Sequence, residues 1–332
     1  MIYNLSSKVF NLVANSEGIE GYKFNKNTVD ANASFMKNIN RTTILEFLKL
    51  DETKIYVEKD DKTGRYSMIA HNEIANESIE IKGLGNHAVA LFTVVEAADE
   101  VKQQLKEHRD VQILSDDFVK LVNKQILLNR YGEIGIGEYR TVDFYGDPVE
   151  VQLCEVVNGE LQKVECVDLE TSVGRNVVYK MNELVDFVNS ESFKEGDVLE
   201  NIAKFHADFI KIHPFRDGNG RTVRLLTNYL LILHGYPMVN IPVEAKKKYF
   251  KCLDYANAKS EQSFAQTQGN KDFYDLVHAI QGERTEENKY RPLAALFEEC
   301  FIKKNCGKII SEILDYKNKG DNQHCLYADQ IS

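Results

Sequence analysis

The chain has 332 residues, 43% of them hydrophobic and 28% charged, enough apolar material for at least one sizeable core and, by length, about two domains. Asp and Glu number 51 against 41 Lys and Arg, a formal net charge of −10, which argues against a surface that grips nucleic acid or an anionic membrane throughout. Six scattered cysteines without a CxxC pair read as free thiols in a reducing cytosol. The opening MIYNLSSKVFNLVANSEG has no unbroken apolar core, and no run approaches the roughly 20 apolar residues of a membrane span. The expected location is the cytoplasm.

Leu5, Val9, Leu12 and Val13 recur three and four apart and predict a short amphipathic helix. From about Thr53 to Ile81, IYVEKDDKTGRYSMIA alternates around Lys62-Thr63-Gly64 and predicts a β-hairpin, read as an insertion. Helices resume at Ala88, with Val89, Phe92, Val95, Ala98, Val101 and Leu105 in one stripe, and again from Asp116 through Leu127. Between Gly135 and Val178 the pattern turns to short β-like runs around Asn158-Gly159, a hairpin turn signal. Met181 to Val188, Val198 to Ile212 and Thr222 to His234 are helical, the last stopped by Gly235 and Pro237. Residues 244–330 look helical up to a loose tail. The class is mainly α.

The chemistry concentrates between the last two of those helices, in His213-Pro214-Phe215-Arg216-Asp217-Gly218-Asn219-Gly220-Arg221-Thr222-Val223-Arg224. Gly218 and Gly220 let backbone N–H groups face inward at a helix start, which is an anion cradle. Arg221 and Arg224 share one face of the first turn, against the helix dipole unless an anion lies between them. Asp217 is a hard oxygen ligand beside that cradle, suited to Mg²⁺ that also touches phosphate oxygens. His213 titrates near neutrality and suits acceptance of a hydroxyl proton. Any one of these alone reads as an ordinary turn; five functions within twelve residues do not. Gly132 to Gly137 (GEIGIG) lacks a preceding strand and following helix and reads as a plain loop.

HPFRDGNGRTVR resembles the HPFxxGNGRxxR signature of the Fic family at every fixed position, and FHADFIKIHPF and RLLTNYLLILHGYP resemble its two central helices. The resemblance spans roughly residues 86–280. It implies a helical core with a β-hairpin flap, and transfer of AMP from ATP to a Tyr, Ser or Thr hydroxyl of a target protein. By that resemblance His213 is the base, Asp217 holds Mg²⁺, and Asn219 with the N–H groups of Gly218 and Gly220 binds the α-phosphate. Arg221 and Arg224 then take the β- and γ-phosphates, and Phe215 pins the loop to the core. Gly220 stands where Doc-type kinases of the family carry Lys, which implies the AMP-transfer orientation. Gly137-Glu138-Tyr139-Arg140 is similar to the family's GxYR element ahead of the flap, about 141–180, which would pair an extended target segment. Tyr249, Tyr255 and Asn257 stand where relatives line the adenine pocket; an ordinary helix face is the other reading.

Ser16-Glu17-Gly18-Ile19-Glu20-Gly21 resembles the family's [S/T]xxxE[G/N] inhibitory motif, in the class II arrangement that precedes the core. The implied contact is Glu20 on Arg224, which would displace the γ-phosphate. Gly18 costs the helix about 1 kcal/mol relative to Ala. The division expected is 1–27 inhibitory segment, 28–85 insertion, 86–280 catalytic core and 281–332 helical extension. The function expected is a bacterial-type protein adenylyltransferase, autoinhibited in cis, with relatives that are often dimers. A transferase with another nucleotide donor, an enzyme removing AMP at the same site and a non-catalytic regulatory module are the alternatives. Lys303, Lys304, Lys308, Lys317 and Lys319 read as a solvated helical face rather than a nucleic-acid surface.

Overall fold

The computed structural model describes residues 2–5, 7–19, 29–31, 53–59, 66–72, 77–81, 84–107, 111–128, 135–141, 154–157, 160–163, 176–266, 270–304 and 306–319. Helices predominate among them. The turns expected at 62–64 and 158–159, the first half of GEIGIG, Glu20, Gly21 and the tail lie outside the described residues.

The N-terminal region is built on a five-stranded antiparallel sheet. Its strands are β1 (Ile2–Leu5), β2 (Val29–Ala31), β3 (Thr53–Lys59), β4 (Tyr66–Asn72) and β5 (Glu77–Ile81), in the order β1-β3-β4-β5-β2. The expected 53–81 hairpin is its centre, with Lys59 opposite Tyr66 and Met68 opposite Ile81. Leu5, assigned by spacing to the first helix, instead ends β1 opposite Ile55. Four residues of apolar spacing do not separate a helix turn from a short edge strand; a pairing partner fifty residues on does. Helix α1 (Ser7–Ile19) follows β1 directly.

Helix α2 (Leu84–Lys106) carries the sheet against the helical body. Val57 and Met68 are fully buried. Gly85 lets the two approach: a Cβ there would stand 2.4 Å from the Tyr66 carbonyl oxygen. Asn86 then accepts from Tyr66 N (3.1 Å) and donates to Leu128 O (2.7 Å). That one carboxamide ties the sheet to the end of α3 (Asp116–Leu127), whose N-terminus is capped by Ser115 accepting from Phe118 N.

Strands β6 (Cys154–Val157) and β7 (Glu160–Lys163) pair with Val157 opposite Glu160, the two-residue spacing that Asn158-Gly159 leads one to expect. Helices α4 (Val177–Asn189), α5 (Glu191–Glu195) and α6 (Val198–Ile212) follow. Asp197 starts α6 by accepting from Leu199 N and Glu200 N at 3.0 and 3.1 Å, and its stripe of Leu199, Ile202, Phe205 and Phe209 faces the core. Helix α7 (Asn219–Leu233) is buried on nearly every side, because α2, α3 and α6 all pack on it. It begins three residues earlier than its apolar spacing suggested. Helices α8 (Lys246–Asn257), α9 (Glu261–Gln266), α10 (Lys271–Gln281), α11 (Arg291–Glu299) and α12 (Cys306–Lys319) complete the fold. None of the described helices is long and apolar enough to cross a membrane.

Candidate active site

The site forms where α6 stops and α7 starts. His213 is the C-cap of α6 and takes a left-handed conformation (φ 53°), the one non-glycine with positive φ among the described residues. An L-residue holds that backbone only where its surroundings impose it. Arg140 imposes it. Buried at 1% exposure, its Nε donates to His213 O at 2.6 Å, its Nη2 to Ile212 O at 3.0 Å, and its backbone N to Pro214 O at 2.8 Å. A guanidinium thus satisfies carbonyls that a helix end leaves orphaned, and complements the dipole there. His213 Nδ1 lies 3.3 Å from Ile210 O. A carbonyl can only accept, so this contact assigns the proton to Nδ1 and leaves Nε2 as the basic nitrogen.

The loop beyond is held from inside. Phe215 is fully buried, its ring 5.2 Å from Tyr139 and 6.3 Å from Phe209. The Asn219 side chain closes on the Phe215 backbone, Oδ1 accepting from its N (2.9 Å) and Nδ2 donating to its O (2.8 Å). This carboxamide shapes the loop at the start of α7. Gly218 has φ 79° and caps the helix. A Cβ there would meet Asn123 Nδ2 at 2.9 Å.

Asn123 was not singled out by the sequence. It is fully buried on α3 and makes three hydrogen bonds around the loop. Nδ2 donates to Asp217 O (3.0 Å) and Thr222 Oγ1 (3.1 Å), and Oδ1 accepts from Gly137 N (3.1 Å). One side chain therefore sets the loop before α7, the first turn of α7 and the segment at Gly137 in mutual register.

Asp217 and Arg221 lie together: Nη2 of Arg221 donates to both carboxylate oxygens of Asp217 at 3.0 Å. Arg221 is fully buried, whereas the Asp217 side chain is 41% exposed at the loop surface. Arg224 meets α1, its Nε donating to Ser16 Oγ (3.0 Å) and Nη2 to Ser16 O (2.8 Å). Ser16 O is among the last carbonyls of α1, so a motif arginine caps the helix lying over it. Between α1 and α7, bordered by Leu12, Ser16, Arg224, Thr227 and Asn228, is a cavity of about 20 Å³, room for one water molecule.

The three residues expected around the adenine do not gather in one place. Tyr249 is buried in the main core with its hydroxyl 2.7 Å from His206 Nε2. Tyr255 belongs to a separate aromatic cluster with Phe264, and Gln281 Nε2 donates to its hydroxyl at 3.2 Å. Asn257 donates to Ala207 O at 3.3 Å, tying α8 to α6. All three side chains serve packing, since an aromatic hydroxyl or carboxamide this deep must find a partner.

His206 lies behind Arg224, fully buried, with Nδ1 2.7 Å from Thr227 Oγ1. Burial, and secondarily the Arg224 charge, hold its pKa well below 6.5. The folded protein therefore keeps this ring neutral while the unfolded chain takes up a proton near pH 6.5. The sign follows: the stability is complete above that pH and is lost as pH falls below it, by up to about 1.4 kcal/mol per pH unit. Urea midpoints at pH 7.5 and 5.5 should fall further for the wild type than for His206→Gln. Equal falls would refute the assignment.

With this geometry in hand, the family comparison is specific. The Fic/DOC family profile matches residues 113–231, from the end of the segment before α3 to the last turn of α7. The chain is 32% identical over 162 residues to a protein adenylyltransferase fic-1 from Caenorhabditis briggsae, covering 47% of this chain and 30% of that protein. It is 44% identical over 77 residues to a protein adenylyltransferase Fic from Drosophila willistoni, 23% of this chain and 16% of that one. The chain thus spans about a third or less of the length of the curated relatives it matches. Among solved structures, a Fic domain containing signaling protein from Bacteroides thetaiotaomicron aligns over 70% of this chain and 72% of that one, at 24% identity and a TM-score of 0.45. The profile match encloses the whole of the α6–loop–α7 element from His213 to Arg224, so residues 113–231 of the chain are similar to the Fic/DOC family.

Proposed function

We propose that the chain is a protein adenylyltransferase that moves AMP from ATP to a Tyr, Ser or Thr hydroxyl of a target protein and of itself. The observation that carries the reading is the set His213, Asp217 and the two buried arginines on a loop opening onto a helix N-terminus. In this reading the core is 86–280, with 1–27 as the inhibitory segment. The flap between about 141 and 180 lays the target hydroxyl over His213. The Nε2 lone pair takes the hydroxyl proton as the oxygen forms its bond to the α-phosphorus, and the bond from that phosphorus to the bridging oxygen of pyrophosphate breaks. The N–H groups of Asn219 and Gly220 and the α7 dipole stabilise the charge on the α-phosphate oxygens, while the Gly218 N–H donates to Asp217 Oδ1 at 2.6 Å. Arg221 and Arg224 hold the outer phosphates, bidentately where geometry permits.

Asp217 fits a Mg²⁺ ion: one partly exposed carboxylate beside a phosphate cradle is the donor set that magnesium completes with phosphate oxygens and water. Bound there, the ion would neutralise phosphate charge. Asp217 would then exchange its pairing with Arg221 for the cation, leaving Arg221 to the β-phosphate.

The same reading makes the enzyme autoinhibited. Support comes from α1, which lies over Arg224 with Ser16 on its guanidinium and only a water-sized space beside it. Glu20, one residue past the end of α1, is the proposed competitor for the γ-phosphate site.

The test is to incubate wild type and Glu20→Gly with Mg²⁺ and each of four α-³²P nucleoside triphosphates. Label on the protein from ATP, at least about tenfold stronger in Glu20→Gly, is the expected result. Equal label in the two proteins would remove Glu20 as the inhibitor; label from another triphosphate would change the donor and keep the mechanism.

A further inference from the structure

Helix α1 brings to the site a carboxylate that the reading above does not use. Glu17 is 3% exposed at the end of the helix, with Oε1 3.0 Å from His87 Nδ1 and Oε2 3.5 Å from Arg221 Nη1. His87, on the first turns of α2, is itself fully buried. Ser16 and Glu17 are consecutive, so one turn of α1 reaches both motif arginines: Ser16 the second and Glu17 the first. The [S/T]xxxE[G/N] pattern leaves position 17 unspecified; the contact is written in this chain's own Glu17 and His87.

We propose that Glu17 is a second latch, which occupies Arg221 in place of the nucleotide's β-phosphate and is aimed at it by His87, independently of Glu20. The inference rests on the reading of Arg221 as a phosphate ligand.

A carboxylate this deep persists only when paired, and among the described residues a buried imidazole and a buried guanidinium lie beside it. Arg221 already faces Asp217, so two carboxylates share one guanidinium. An incoming phosphate oxygen must displace that arrangement. Asp217 stands at the loop surface and can swing to a cation. Glu17 cannot: Leu12, Val13 and Ile19 are buried on either side of it along α1, and Arg224 grips Ser16 next to it. While α1 stays docked, the negative charge stays beside Arg221 and disfavours a second anion there.

The test compares the affinities of the full chain for ATP, ADP and AMP by calorimetry, in wild type and Glu17→Gln. Glutamine keeps the shape and a hydrogen bond to His87 while removing the charge. ATP and ADP should bind about tenfold more tightly, the order expected for one charge taken from beside a bound oxyanion. AMP, which has no β-phosphate, should be unchanged within about twofold. A gain shared by AMP, or no gain with ATP and ADP, overturns the latch. Should Glu17→Gln fail a thermal-melt check of folding, His87→Phe decides in its place. Its ring fills the same space, offers Glu17 no hydrogen bond, and should show the same selectivity at smaller size. Tightened ATP and ADP without any labelling of protein would leave the latch standing and sink adenylyl transfer. Labelling with unchanged affinities would do the reverse.

Discussion

His213→Ala is expected to lower labelling from α-³²P ATP by about 10²–10⁴-fold, the usual contribution of a positioned general base, with ATP affinity within about twofold of its parent. The separation follows from where the ring sits. His213 belongs to the end of α6 and precedes in sequence the glycines and arginines of the proposed phosphate cradle, and Arg140 holds its backbone carbonyl. Truncation removes a proton acceptor and leaves the cradle in place. One complication has a physical remedy. The residue holds φ 53°, and Asn tolerates left-handed backbone better than Ala. His213→Asn therefore controls for strain: it should be as inactive as His213→Ala while melting at the wild-type temperature. Both variants are best placed in Glu20→Gly, where the parent's signal is largest, and compared by label incorporation and calorimetry. Retained transfer in either would remove His213 as the base.

The loop was legible because its residue types are rare in combination and local in sequence. His213, Asp217, Gly218 and the two arginines fall within twelve positions, so no tertiary information was needed to see them as one site. The helices on either side were legible for a related reason. The stripe of α6 has a 3.6-residue period and an Asp at its N-cap, and the observed bounds, Val198–Ile212, coincide with those read from spacing.

What the sequence concealed depends on long-range geometry. Asn123 is an unremarked polar residue on an amphipathic helix, and nothing local says that its carboxamide reaches residues 137, 217 and 222. A polar residue on the otherwise apolar face of α3, between Val122 and Ile126, was the available clue. Arg140 was recognisable within Gly-Glu-Tyr-Arg, but its task as a clamp on two carbonyls of another helix was not. Glu17 and His87 are seventy residues apart and meet only because α1 lies on α2. In the other direction, Tyr249, Tyr255 and Asn257 were positioned by resemblance alone, and each is taken up by a hydrogen bond within the packed helices.

The N-terminal sheet shows the same limit at the level of elements. The alternation of 53–81 was readable, yet β1 was not, since a four-residue edge strand carries too few positions to show a period of two. Its pairing with β3 bears on the proposed autoinhibition. It anchors the start of α1 at Ser7, leaving the far end, with Ser16 and Glu17, to meet the motif.

The largest effect on stability is expected from Asn123→Leu, at about 2–4 kcal/mol. Leucine has a similar volume, so the cost is not that of a cavity. It comes from leaving Gly137 N, Asp217 O and Thr222 Oγ1 facing an apolar side chain in a site that excludes water. For a chain of this size that corresponds to a fall in Tm of roughly 3–6 °C. Because the same carboxamide registers the loop, ATP binding should fall as well, which a loss of stability alone would not cause in the folded fraction. Gly218→Ala attacks the same contact from the other side, through a strained φ and a methyl 2.9 Å from Asn123 Nδ2. Once Asn123 is leucine that polar contact no longer exists. The double variant Asn123→Leu/Gly218→Ala should therefore be less destabilised than the sum of the singles, by about 0.5–1.5 kcal/mol, as coupled neighbours are. Denaturant titration of the four proteins gives the coupling directly. Strict additivity would mean that Asn123 and the loop fold independently, and the placing of Asn123 as the residue that holds the cradle to α3 would be wrong.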